Sequence, residues 1–149
     1  NLAVEMMPVD LVNDPRRIAR EENFVAINAT AEVDLYGQCA SETIAGRYWS
    51  SSGGQADFSR GAMFAEHGRA YMVMHSTTNK GESRIRASLT PGAVVTTNKN
   101  TVDHIVTEYG IARLRGRTVT ERAKALIEIA HPDHREQLER DAHAQAILR

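Results

Sequence analysis

Residues 50–75 read SSSGGQADFSRGAMFAEHGRAYMVMH, a turn, a helical pattern and an apolar run in succession. Gly53 and Gly54 stand together between a serine run and the helical pattern. From Asp57 to His67, the residues Phe58, Ala62, Met63 and Ala65 supply one apolar side. Gly68 closes that helix, as a glycine just past a helix end commonly does. Ala70–His75 is almost continuously apolar and bounded by polar turns, so it reads as a buried strand. Such a turn bares several backbone N–H groups toward one point, and the helix N-terminus behind it adds a partial positive field. The pair suits an anion, or a carbonyl oxygen that becomes one. The same dipeptide also serves as plain chain punctuation.

Working outward, helices and strands alternate. Residues 2–12 (LAVEMMPVDLV) read as extended, with Pro8 marking an edge or bend. Asn13-Asp14-Pro15 is a helix start: Asp14 can cap and Pro15 fits the first helical position, with a short helix to about Glu22. Strands follow at Phe24–Asn28 and Glu32–Tyr36. Beyond the central unit, short strands are expected near Arg84–Ala87, at the β-branched Ala93–Thr97, and at Ile105–Thr107. Thr118-x-x-Glu121 is a capping-box pattern, with Val119, Ala123, Leu126, Ile127 and Ala130 at helical spacing behind it. A last helix runs from His131-Pro132-Asp133 to near Leu148. This alternation predicts an α/β fold, an open, mostly parallel sheet flanked by helices. Ligands of such sheets gather beyond the strand carboxyl ends. The Gly53–Gly54 loop belongs there if Arg47–Trp49 is a strand.

Composition narrows the function. The 149 residues are 42% hydrophobic and 25% charged, with net charge −1. That describes one globular domain with no strong field to attract nucleic acid or anionic membrane. No apolar run approaches the roughly 20 residues that span a bilayer. Cys39 is the single cysteine; it has no internal disulfide partner, which favours a reducing compartment, and a cytoplasmic setting is expected. The six histidines show no metal-ligand spacing. The chain begins at Asn1 and is expected to be a piece of a longer protein.

Six motifs in order carry a resemblance: VNDP (12–15), INATAEVDLYGQ (27–38), SGGQADFSRGA (52–62), STTNKGESRI (76–85), TEYGIARLRG (107–116) and ERAKALIEIAHPDHREQL (121–138). Together the chain resembles the C-terminal domain of the acetyl-CoA hydrolase/transferase family, the group that contains 4-hydroxybutyrate CoA-transferases. The resemblance implies transfer of coenzyme A between an acyl-CoA and a small carboxylic acid, or hydrolysis of an acyl-CoA. It implies a glutamate that attacks the thioester and carries coenzyme A as a glutamyl thioester, coenzyme A as a substrate with no tightly bound cofactor, and a homodimeric parent. The family's glutamate lies in a His-x-Glu-Met segment that residues 1–149 lack, so it is expected upstream and the isolated chain is expected to be inactive. Two departures stand out. Ser51 and Ser52 replace a glycine and an aliphatic residue of the family loop, and Arg113 stands where the family has aspartate.

On this resemblance, the backbones of Gly53 and Gly54 are the candidate oxyanion-binding groups. Gln55 is a candidate ligand contact. Lys80, in a polar loop with Ser83 and Arg84, suits the coenzyme's phosphates or pantetheine amides and equally a solvated surface. Asn13 either turns the chain or touches the reacting carboxylate. Asp57 is read as opening the helix, and Glu32 and Asp34, on one strand face, as partners in structural ion pairs. Glu108 is a weaker alternative nucleophile. A non-catalytic α/β module that binds a nucleotide or a protein remains a separate reading of the same residues.

Overall fold

The computed structural model describes residues 3–149. Its elements run α1 (Val9–Val12), α2 (Pro15–Ile18), β1 (Val25–Ala29), β2 (Glu32–Asp34), β3 (Cys39–Ala40), β4 (Thr43–Ile44), β5 (Arg47–Tyr48), α3 (Gln55–Phe64), β6 (Arg69–Val73), β7 (Ile85–Arg86), β8 (His104–Thr107), β9 (Gly110–Arg113), α4 (Val119–Glu128) and α5 (Pro132–Ala144). The central sheet has the order β1-β6-β8-β9, with β1, β6 and β8 parallel and β9 antiparallel at one edge. A second sheet, β3-β2-β7, joins β2 and β7 in parallel, and β4 and β5 form a separate hairpin. The chain is therefore the mixed α/β, mostly parallel arrangement expected of it.

Side-chain alternation decides which face is covered. Ala26 and Ala70 face α3 and pack with Ala62, flanked by Phe24 and Phe58. Met72, Ile105 and Ala112 continue the same face into the main core, where Leu114, Leu126, Ile127 and Leu138 bring in α4 and α5. Both cores therefore lie on one side of the central sheet. Gly61 lets α2 approach α3, because a Cβ there would strike Ile18. Thr118 caps α4 through a reciprocal bond with Glu121, and Asp14 caps α2 ahead of Pro15. No helix among the described residues is long and apolar enough to cross a membrane.

Three local expectations are corrected, and one strand was not expected at all. Residues 9–12 form one helical turn rather than extended chain, and Leu2 of that stretch lies outside the described residues. Ala93–Thr97 is not a strand: Thr97 makes an isolated bridge to Cys39, while Val94 N–H donates to Thr43 Oγ1 and Ser41 N–H to Thr96 Oγ1. Side chains thus satisfy backbone groups that a ladder would otherwise pair. β9 was not foreseen. The α3 exit also differs. His67 takes the left-handed conformation (φ 56°), and Gly68 is needed for closeness, since a Cβ there would strike the Ala62 carbonyl.

Candidate functional site

α3 leads through Ala65–Gly68 directly into β6 and packs against β1 and β6. It therefore runs opposite to those strands, and its N-terminus lies at their carboxyl-terminal edge, where open α/β sheets bind ligands. The loop entering it comes from the β4–β5 hairpin rather than from the central sheet. Gly53 is left-handed (φ 55°) with nothing within 4 Å of where a Cβ would stand. Gly54 is the N-cap at φ −96°, an ordinary value, and makes no side-chain cap bond. Its constraint is steric. A Cβ on Gly54 would collide with Asn13 Nδ2 and come within 2.9 Å of the Phe58 ring.

The first α3 hydrogen bond from this loop is Phe58 N–H to the Gly54 carbonyl (3.0 Å). Before it, the N–H groups of Gly53, Gly54, Gln55, Ala56 and Asp57 have no acceptor among the described residues. They are the orphan donors of a helix start and its preceding turn. Gly53, Gly54 and Asp57 among them line a cleft of about 610 Å³, together with residues of α1 and α2, Asn13, Ser51 and Ser52. Asn13 reaches it as the C-cap of α1, its own N–H donating to Val9 O (2.8 Å). The structure thus brings Asn13, Gly53 and Gly54 together.

The charge of the cleft limits what it can hold. Asp10, Asp14 and Asp57 line it, against Arg16 alone. Arg16 is taken up by Asp14, with Nε 3.0 Å from Oδ1 and Nη2 2.8 Å from Oδ2. Hydrogen bonds from the Arg16 side chain and backbone hold the Asp14 carboxyl below the usual carboxylate range. A polyanion is poorly matched to these walls. A neutral carbonyl that gains charge only during reaction, met by neutral N–H donors and a helix dipole, is well matched.

The remaining sequence candidates lie elsewhere or are engaged. Gln55 is buried, with Nε2 donating to Thr97 Oγ1 (3.0 Å), and its side chain does not line the cleft. Lys80 sits exposed on a tight turn, where Gly81 N–H donates to Thr78 O (2.9 Å) and Lys80 N–H to Thr78 Oγ1 (3.3 Å). His134 Nε2 lies 2.8 Å from Gly81 O and ties this turn to α5. Lys80 is also absent from the cleft lining. Glu32 accepts from Thr90 N–H and Thr90 Oγ1 and pairs with Arg86 Nε (2.9 Å). Asp34 accepts from the backbones of Tyr36 and Gln38 and from Gln38 Nε2 (2.6 Å). Burial pushes its carboxyl up, opposed by those bonds. Glu108 binds Ser76 through both oxygens, from N–H (2.9 Å) and Oγ (2.6 Å). Desolvation pushes that carboxyl up, but the Ser76 bonds outweigh it and leave it below the ordinary glutamate range. These carboxylates fasten loops. No group of three or more His, Cys, Asp or Glu able to hold a metal occurs among the described residues. Sequence reading missed Asp10 and Ser51 as cleft walls; the helical turn at residues 9–12, which places Asp10, left no periodic signal.

Comparison with known proteins identifies the family. The family model for the acetyl-CoA hydrolase/transferase C-terminal domain matches residues 1–142. The chain is 52% identical over 139 residues to a succinyl-CoA:cyclohexane-1-carboxylate CoA transferase of Geobacter metallireducens, covering 93% of this chain and 32% of that protein. It is 50% identical over 139 residues to a 4-hydroxybutyrate coenzyme A transferase of Clostridium kluyveri, with the same coverage of both chains. In three dimensions it matches RipA from Yersinia pestis with a TM-score of 0.88 at 45% identity, over 95% of this chain and 32% of that one. The chain thus spans about a third of the length of the relatives it matches. It belongs to the acetyl-CoA hydrolase/transferase family, as its C-terminal domain.

Proposed function

We propose that this chain is the C-terminal part of a CoA-transferase that moves coenzyme A between an acyl-CoA and a small carboxylate. The observation that carries the reading is the set of unpartnered N–H groups at the head of α3, of which those of Gly53, Gly54 and Asp57 belong to residues lining the cleft. In the reaction, a glutamate carboxylate from the upstream part of the polypeptide attacks the thioester carbon. The carbonyl oxygen takes the negative charge and the Gly53–Gly54 main chain meets it. Expulsion of the CoA thiolate gives a mixed anhydride. The thiolate then attacks the glutamyl carbonyl and releases the first carboxylate. The acceptor acid repeats the two steps in reverse. Each donor placed on the developing oxyanion is worth about 3–4 kcal/mol of barrier. Asn13, beside Gly54, orients the carboxylate that enters or leaves.

Coenzyme A acts as a substrate, and no tightly bound cofactor has a part in these steps. The acidic cleft favours the acyl end, so the phosphates lie outside it, with Lys80 as a candidate contact. Gln55 contributes through Thr97, by fixing the first turn of α3. The reading places a homodimeric parent in the cytoplasm, in keeping with Cys39 as a free, buried thiol.

The test is an assay of the full-length protein with an acyl-CoA, with and without acetate, propionate or succinate. Acceptor-dependent formation of the new acyl-CoA is expected. Release of free coenzyme A at the same rate without any acceptor would make the parent a hydrolase, and no reaction under either condition would leave only a binding module. Residues 1–149 alone are expected to give no turnover.

A further inference from the structure

The central sheet is covered on one side only. Its other face carries the alternate residues of all four strands, and no helix among the described residues packs there. On it Ile27 is 70% exposed, Ile111 62% and Val25 52%, with Val73 also exposed. Sheets built from parallel strands occur almost only with both faces covered. The four strands, at about 4.8 Å spacing, and the five residues of β1, at about 3.3 Å rise, give a face of roughly 19 by 17 Å. Helices of about 10 Å diameter would lie across it one or two abreast.

The formally charged side chains of this face, Arg69 and Arg113, share one sign. His104 stacks on Tyr71 with ring centroids 4.8 Å apart. Arg69 and Arg113, at the same end, have exposed side chains without an ion-pair partner among the described residues. Asp103, which lines the same depression as the two arginines, is buried and already committed, accepting from Ala70 N–H and lying 3.1 Å from both Arg115 Nη2 and His104 Nδ1. The face itself presents no carboxylate.

We infer that this face is a docking surface for the portion of the same polypeptide that precedes the domain, packing an apolar ridge on Ile27, Val73 and Ile111 and setting acidic residues against Arg69 and Arg113. This rests on the chain being the C-terminal domain of a longer protein. The matched relatives carry about two thirds of their length outside the shared region, which is ample for such a cover. A second copy of this face is a poorer occupant. A two-fold interface pairs a patch with itself, and here that would bring arginines together with no carboxylate to meet them.

The test uses the full-length protein carrying Ile27→Cys or Ile111→Cys, with thiol alkylation followed residue by residue and compared with the same site in denaturant. Protection of ~100-fold or more is expected, as for sites reached only by opening of packed structure, and it should survive hundredfold dilution. Labelling at close to the denatured rate overturns the inference. Protection that disappears on dilution also overturns it, because the occupant is then a second copy. Should either variant fail to fold, hydroxyl-radical footprinting of the unsubstituted protein reads the same surface. Slow oxidation of Ile27 and Ile111 supports the inference and fast oxidation contradicts it. Neither readout depends on turnover, so an inactive enzyme with a protected face would refute the proposed function alone.

Discussion

Gly54→Ala in the full-length protein probes the site most sharply, because its effect is set by contact and not by backbone strain. At φ −96° alanine is conformationally acceptable. Its Cβ, however, falls on Asn13 Nδ2 and within 2.9 and 3.1 Å of Phe58 ring carbons. Overpacking of this kind costs about 1–3 kcal/mol. Relief requires the Asn13 carboxamide to leave, the Phe58 ring to turn, or the loop to shift. Any of these moves the donors or the groove beside them, and a misplacement near 1 Å costs about 100-fold in rate. The expected result is a fall of about 100-fold in kcat, close to 2.7 kcal/mol of barrier, in an enzyme that remains folded. Gly53→Ala is the control. It must hold a left-handed conformation, for roughly 1–2 kcal/mol, but meets nothing within 4 Å and keeps its N–H. Its kcat should stay within about threefold of wild type, the limit set by small rearrangements of ~0.6 kcal/mol. Steady-state transfer kinetics and thermal unfolding of both variants decide the matter. Removing the clashing group with Asn13→Ala should recover part of the stability lost in Gly54→Ala, a non-additivity expected of touching residues. A folded Gly54→Ala enzyme with unchanged kcat would refute the reasoning, as would equal damage from the two glycine substitutions.

Gly61→Ala tests packing against propensity: alanine favours a helix by about 1 kcal/mol over glycine, yet its Cβ would strike Ile18, so chemical denaturation should show net destabilisation, and a stabilised variant would refute the close α2–α3 approach. Thr118→Ala removes the α4 capping box and should cost about 1 kcal/mol, or about 2–4 °C in Tm for a domain of this size; an unchanged melting curve would contradict the cap. Burial pushes the Cys39 thiol up to about 12 from 9.0, so the native protein should resist Ellman's reagent at Cys39 at pH 8. Because the folded value is the raised one, the associated stability is full below pH 9 and is lost as pH rises toward 12. A Cys39→Ser variant should show a shallower alkaline loss, and rapid native labelling at Cys39 would refute the burial.

The fold was largely legible where local signals agreed with one another. The helix and strand of residues 50–75, the Asp14–Pro15 start and the Thr118–Glu121 cap all appear within a few residues of their expected places. Failures occurred where tertiary partners replaced local ones. The β-branched run at Ala93–Thr97 forms no ladder because hydroxyls of Thr43 and Thr96 enter its hydrogen bonding. β9 is four residues long with outward Ile111 and Arg113, too short a pattern to stand out. The site divides in the same way. A diglycine before a helix signals free N–H groups directly. The seat of Asn13 against Gly54 is a contact between distant parts of the chain that no spacing announces. Sequence adjacency suggested Gln55 as a ligand contact, whereas the helix turns its side chain inward to Thr97.

The most direct measurement is a crystal structure of the full-length protein with an acyl-CoA analogue whose thioester sulfur is replaced by methylene, which keeps the carbonyl but prevents cleavage. The account predicts the carbonyl oxygen at about 2.7–3.1 Å from main-chain nitrogens at the head of α3, with the coenzyme's phosphates outside the walls formed by Asp10, Asp14 and Asp57. An analogue whose carbonyl oxygen is held by other groups, away from Gly53 and Gly54, would contradict it.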